Sequence, residues 1–178
     1  MGLGKTLKTL AFILATSHQG QTFCQADQEN WLAATPVICP LATLSNWQNE
    51  IWLHFNDHAI PYKVFHGEEQ KKITRDNLQS TMLVLTTYKT IGMSGNRKHP
   101  SQLNIKSLNL TWFRLVLYKA HLIRNPMINR TQSIQSLQKG FVLCLTGTPV
   151  QNRLTDLQSL IKLFIIHHWN PEHQFRTG

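Results

Sequence analysis

Met1-Gly2-Leu3-Gly4-Lys5-Thr6 reads as the back half of a phosphate-binding loop that runs straight into a helix. A polyphosphate site asks for these residue types. Glycines admit backbone N–H groups close to the oxygens, a lysine adds a point charge, and a threonine hydroxyl reaches Mg²⁺. Leu7, Leu10, Ala11 and Leu14 follow at helical spacing, so the helix turns one apolar face inward and aims its positive N-terminal end at the same anion. Gly2, Leu3, Gly4, Lys5 and Thr6 are the candidate nucleotide-binding residues, and Thr6 is also the candidate Mg²⁺ ligand. A complete loop of this kind hangs from a buried strand. Residues 1–178 place none before it, so the expected parallel sheet has an unfilled central slot.

Further along the chain, strand-like and helix-like patterns alternate. Short apolar runs at Pro36–Pro40, Tyr62–Phe65, Met82–Leu85, Leu115–Leu117 and Phe141–Leu145 read as strands. Leu44, Trp47, Ile51 and Phe55 fall at helical spacing, Glu68–Leu78 reads as a polar helix, and Ile128–Lys139 is helical. Ser17–Thr35, polar and Gln-rich, reads as a loop or insertion, and Gly92–Leu110 as a surface excursion. Thr155-x-x-Gln158 opens a last helix as a capping box. Buried strands alternating with helices mean βαβ units, hence an α/β fold with a parallel sheet flanked by helices. Ala42-Thr43, Thr86-Thr87, His121 and Thr146-Gly147-Thr148 each follow a strand, where ligands of such sheets bind.

Composition narrows the partners. Eighteen Lys and Arg against nine Asp and Glu give +9, which favours a polyanion, although the cations are paired at most, as in Lys71-Lys72 and Arg97-Lys98. Between Asn77 and Thr155 there is no Asp or Glu at all, while Lys89, Arg97, Lys98, Lys106, Arg114, Lys119, Arg124, Arg130, Lys139 and Arg153 all fall there. A site that needs a metal-binding carboxylate from that stretch is excluded. Cys24, Cys39 and Cys144 are too few and scattered for a disulfide framework or a zinc site, and Cys39 and Cys144 read as buried thiols. No run approaches the roughly 20 apolar residues of a membrane span. His167-His168 lacks the spacing of a metal site, and Trp47 and Trp52 read as core or rim residues of one helix.

Four segments occur in a telling order: Met-Gly-Leu-Gly-Lys-Thr at 1–6, Cys-Pro-Leu-Ala-Thr-Leu-Ser-Asn-Trp at 39–47, Val-Leu-Thr-Thr-Tyr at 84–88 and Leu-Thr-Gly-Thr-Pro-Val-Gln-Asn at 145–152. Together they resemble the N-terminal RecA-like lobe of the Swi/Snf-family helicase-like ATPases, over nearly the whole chain. His121-Leu-Ile-Arg-Asn-Pro126 is similar to the branch that contains the helicase-like transcription factor. The resemblance implies a P-loop fold and ATP hydrolysis coupled to movement on duplex DNA, in chromatin remodelling or repair, in the nucleus. It implies that Thr43, Ser45 and Thr86 face the DNA backbone. It also implies that Thr146, Gly147 and Thr148 couple nucleotide state to DNA contact.

Two departures follow. Where that family has Asp-Glu-Ala-His, this chain has Tyr118-Lys119-Ala120-His121, so neither the metal-holding Asp nor the water-polarising Glu is present. Loss of a general base alone costs about 10²–10⁴ in rate. Residues 1–178 also hold no second lobe, which the resemblance makes the source of an arginine finger and half the DNA cleft. The expectation is a truncated nucleotide-binding lobe spanning 1–178, with ATP bound, Mg²⁺ weakened and hydrolysis lost. A non-catalytic basic module that docks DNA or a partner is the alternative. An RNA helicase of the same superfamily is disfavoured by Leu145-Thr-Gly-Thr-Pro149, where those enzymes usually carry Ser-Ala-Thr.

Overall fold

The computed structural model describes residues 4–56, 58–93, 110–123, 125 and 129–147. Six strands make one parallel sheet: β1 (Trp31–Leu32), β2 (Thr35–Cys39), β3 (Tyr62–Phe65), β4 (Leu83–Thr87), β5 (Thr111–Tyr118) and β6 (Lys139–Leu145). β6 pairs along β5 from Trp112 to Tyr118, so β1 and β2 share the other edge of β5. Leu32 faces Trp112 and Val37 faces Val116, five steps against four, so the β1–β2 line carries one extra residue, as a bulge does. Beyond β2 lie β4 and then β3.

Both faces of the sheet are covered, which is why its strands read as continuous apolar runs. On one face, α1 (Lys5–Ala15) and α3 (Leu44–His54) pack Leu10, Ile13, Trp47 and Ile51 against Val37, Leu83, Leu85 and Val116. On the other, α4 (Arg75–Gln79), α5 (Tyr88–Met93) and α6 (Asn129–Gln135) contribute Leu78, Ile91 and Ile134 against Ile38, Val84, Leu115 and Leu117. The inward face of α1 is rotated from the expected one: Ala11 is exposed, while Thr9, Leu10 and Ile13 are buried. Thr9 tolerates burial because its hydroxyl donates to Lys5 O at 2.7 Å.

Three expectations are corrected. Ser17–Thr35 is no loop: it holds α2 (Ser17–Gln25) and β1, and Phe23 of α2 stacks on Trp31 with ring centroids 4.5 Å apart. Tertiary packing of aromatics made a helix from a polar stretch with little propensity for one. Glu68–Leu78 is a 3₁₀ turn over Gly67–Lys72 followed by α4, because Thr74 Oγ1 accepts from Asn77 N and Thr74 N donates to Asn77 Oδ1 in return, starting a new helix at that point. The helix expected to reach Lys139 ends at Gln135, and Lys139 already pairs with Trp112 in the sheet.

No slot interrupts the described sheet, which runs unbroken from β6 to β3. Instead the outer edge of β6 has no strand partner among the described residues, and Phe141 on it is 48% exposed. The excursion at residues 94–109 and the helix expected from Thr155 lie outside the described residues.

Candidate functional site

Because all six strands run the same way, their carboxyl ends share one end of the sheet. Cys39 leads into a 3₁₀ turn at Leu41–Thr43, Phe65 into His66-Gly67, Thr87 into α5, Tyr118 into Lys119 and a 3₁₀ turn at Ala120–Ile123, and Leu145 into Thr146. α1 begins at that end as well. Its last residues lie near the strand starts, where Thr16 Oγ1 accepts from Arg114 in the first half of β5 at 2.7 Å, so Lys5 is held roughly 15 Å away toward the carboxyl ends. Gly4 takes φ 58°, ψ 27° at the N-cap, a left-handed conformation that needs glycine for its torsion alone, since a Cβ there would touch nothing. No side chain caps α1, so its first-turn N–H groups stay available to an anion. Gly2 and Leu3 lie outside the described residues.

The end of β5 differs from a metal site. Tyr118 stands edge-on to Trp47, centroids 5.5 Å apart and planes at 90°, and packs against the apolar cluster under α1 and α3. Its carbonyl accepts from Tyr88 Oη at 2.9 Å, and burial pushes the Tyr88 phenol pKa well up. Lys119 has φ 57°, a strained position for a lysine, and its carbonyl accepts from Leu122 N. His121 Nδ1 lies 3.3 Å from Thr146 Oγ1, joining the ends of β5 and β6. Mg²⁺ asks for several oxygen ligands, and among the described residues no cluster of three His, Cys, Asp or Glu side chains exists. The described residues do not fit a protein-held Mg²⁺ here; of the expected set only the Thr6 hydroxyl remains among them.

The structure brings Lys5, Thr6, Lys119, His121, Thr146 and Gly147 to one end of the sheet; Thr148 lies outside the described residues. Of the three positions expected to face DNA, Ser45 is exposed and Thr43 half-buried, its hydroxyl donating to Pro40 O at 2.9 Å. Thr86 differs: its side chain is fully buried and donates to Phe65 O at 2.8 Å, so it ties β4 to β3. Two half-buried polar groups of that corner, His66 and Thr90, are ones the sequence reading passed over. His66 Nδ1 lies 2.9 Å from Thr90 Oγ1, which in turn meets Thr87 Oγ1 at 2.9 Å, beside exposed Lys89. The strand-end rule applied to Tyr62–Phe65 would have found His66.

The family model for the SNF2-related domain matches residues 1–178. The chain belongs to the SNF2-related domain family. This SNF2-related domain is 29% identical over 189 residues to the DNA repair protein RAD5 of Candida albicans, covering 99% of the chain and 17% of that protein. It is 34% identical over 152 residues to the human helicase-like transcription factor, covering 82% of the chain and 14% of that protein. Among solved structures it resembles the Sulfolobus solfataricus SWI2/SNF2 ATPase core in complex with dsDNA. The TM-score is 0.68 at 28% identity, over 93% of this chain and 30% of that one. The domain thus spans less than a fifth of these curated relatives and about a third of the structural neighbour.

Proposed function

We propose that this domain is the ATP-binding lobe of a DNA-dependent, Swi/Snf-type ATPase that acts on duplex DNA or chromatin in the nucleus, and that the lobe holds nucleotide without effective hydrolysis. The observation that carries the reading is the state of the β5 end. Tyr118 is packed against Trp47 where the family resemblance calls for a metal-holding Asp, and Lys119 stands where it calls for the water-polarising Glu. The binding half of the proposal is supported by Gly4 at positive φ, uncapped N–H groups on α1, and Lys5 at its start. Lys5 and the first-turn amides would bind and orient phosphate oxygens, and His121 with Thr146 would hold the neighbouring strand ends together. No residue from Asn77 to Thr155 is a carboxylic acid, so the water-polarising Glu that the resemblance calls for has no carboxylate replacement at the β5 end.

DNA binding is supported by the +9 charge, by the acid-free stretch from Asn77 to Thr155, and by likeness to an ATPase core solved with double-stranded DNA. The packing of Tyr118 also favours a second reading, a non-catalytic basic module that docks DNA or a partner and uses ATP as a structural ligand.

The test is a titration of fluorescent ATP into the 178-residue chain, with and without Mg²⁺, repeated with Lys5→Ala. Weak binding that ignores Mg²⁺ and is lost in Lys5→Ala is expected; binding indifferent to Lys5→Ala refutes the site. Duplex DNA should bind without sequence preference, with log K falling against log salt at a slope of about −0.9 per phosphate neutralised. A salt-insensitive complex refutes the DNA assignment.

A further inference from the structure

The end of β5 lacks a carboxylate and carries a cation in its place. β5 and α1 lie side by side and run in opposite directions. Arg114 donates to Thr16 Oγ1 at 2.7 Å and lies over Phe12 at 4.6 Å, Val116 shares a cluster with Leu10 and Ile13, and Tyr118 joins the same cluster. Alternate residues of β5 thus climb α1 from its last turn toward its first. Five strand steps separate Arg114 from Lys119, roughly 16 Å, and the helix covers about the same length between Thr16 and Lys5. Lys119 therefore stands level with Lys5, and both residues are half-buried.

Among the described residues the Lys119 ammonium has no hydrogen-bond or ion-pair partner. Glu68 and Glu69, which follow β3, already pair with Lys71 and Lys72 and lie three strands from β5, roughly 14 Å away. Lys119 also sits at φ 57°, where a glycine would be free of strain, so a positive charge is kept there at a cost to the backbone. In the family motif, the Asp and Glu together balance the two charges of one Mg²⁺, which leaves that pair with its metal neutral; Tyr118 and Lys119 without metal carry one positive charge. An uncomplexed triphosphate meets at least as much positive charge here as a metal-bound one meets beside the acids. We propose, resting on the nucleotide-binding reading of the α1 start, that Lys119 takes the place of the metal. With Lys5 it clamps the uncomplexed phosphate chain of a nucleoside triphosphate, and this is what makes nucleotide binding by the domain metal-independent.

The test titrates fluorescent ATP into the 178-residue chain in EDTA and in Mg²⁺ at matched ionic strength, with inorganic triphosphate as competitor and thermal unfolding alongside. The variants are Lys119→Gly, Lys119→Glu and Lys5→Ala. The parent should bind with one Kd in both media, and inorganic triphosphate should displace ATP in EDTA. Lys119→Gly should bind at least about tenfold more weakly in EDTA, the loss of one charge-assisted contact. Its Tm should stay at or above the parent's, because glycine accepts the positive φ. Lys119→Glu should bind more weakly still in EDTA, and Mg²⁺ should restore part of that loss. Parent-like binding in EDTA by both Lys119 variants, with binding lost in Lys5→Ala, overturns the role of Lys119 and leaves the nucleotide site standing. Parent-like binding in Lys5→Ala removes the nucleotide site and this proposal with it. The proposal is equally overturned if the parent requires Mg²⁺, if inorganic triphosphate fails to compete, or if Lys119→Gly melts below the parent.

Discussion

Replacing Tyr118 by Asp returns the residue that the family resemblance associates with metal, and it should make the chain less stable. The Tyr118 ring meets Trp47 edge-on at 5.5 Å, an arrangement that contributes about 0.5–1.5 kcal/mol beyond area burial. The ring is half-buried, so it keeps about half of the roughly 1.5–3 kcal/mol that full burial of such a side chain provides. Asp forfeits both contributions and sets a carboxylate beside the fully buried Trp47. The expected loss is about 1.5–3 kcal/mol, or a fall in Tm of roughly 3–12 °C for a chain of this size. Tyr118→Phe keeps the ring, and the bond from Tyr88 goes to the backbone carbonyl, so that variant should stay within about 0.5 kcal/mol of the parent. Urea unfolding followed by Trp fluorescence reads both variants with an internal probe at Trp47. Equal stability of Tyr118→Asp and the parent refutes the packing of residue 118 against Trp47.

Three other outcomes are expected. Gly20→Ala separates two effects by sign: helix propensity alone stabilises by about 0.5–1 kcal/mol, whereas the added Cβ would lie 2.9 Å from Ala33 O and 3.0 Å from Phe113, which overpacks by about 1–3 kcal/mol; a net loss in chemical denaturation is expected. Thr86→Val removes the buried hydroxyl bond to Phe65 O and should cost about 1–2 kcal/mol in the absence of DNA, while a residue serving only as a DNA contact would leave free-chain stability unchanged. Burial pushes the Cys39 and Cys144 thiols up to about 11, above the ordinary value of about 8.5, so the unfolded chain ionises first and stability present below about pH 8.5 is lost as pH rises toward 11. Lys139 is shifted down by burial and acts in the opposite direction, so the comparison that isolates the thiol is the parent against Cys39→Ala, whose alkaline slope should be shallower.

Much of the architecture was legible in the residue order. Apolar runs of four or five residues separated by helical spacing placed five of the six strands, and the parallel sheet followed from their alternation. The same reading put Thr43, Thr87, His121 and Thr146 after strand ends, where the sheet gathers them. What escaped it was local structure held by distant partners. α2 is a polar helix that exists through Phe23 on Trp31 and Gly20 against Ala33, contacts whose strength depends on rings and backbone brought together by the sheet. The capping pair at Thr74 and Asn77 carries no Glu or Gln, so the usual signature of a helix start was absent.

Sequence alone determined the charge at each candidate position: Tyr118-Lys119 stands where the family resemblance calls for an Asp-Glu pair, and no residue from Asn77 to Thr155 is an acid. Only the tertiary structure decided where those side chains go. Burial is a property of three-dimensional neighbours, so it sends Tyr118 into the cluster beside Trp47, withdraws Thr86 from the surface, and strands one nitrogen of Arg114 at the far end of the sheet.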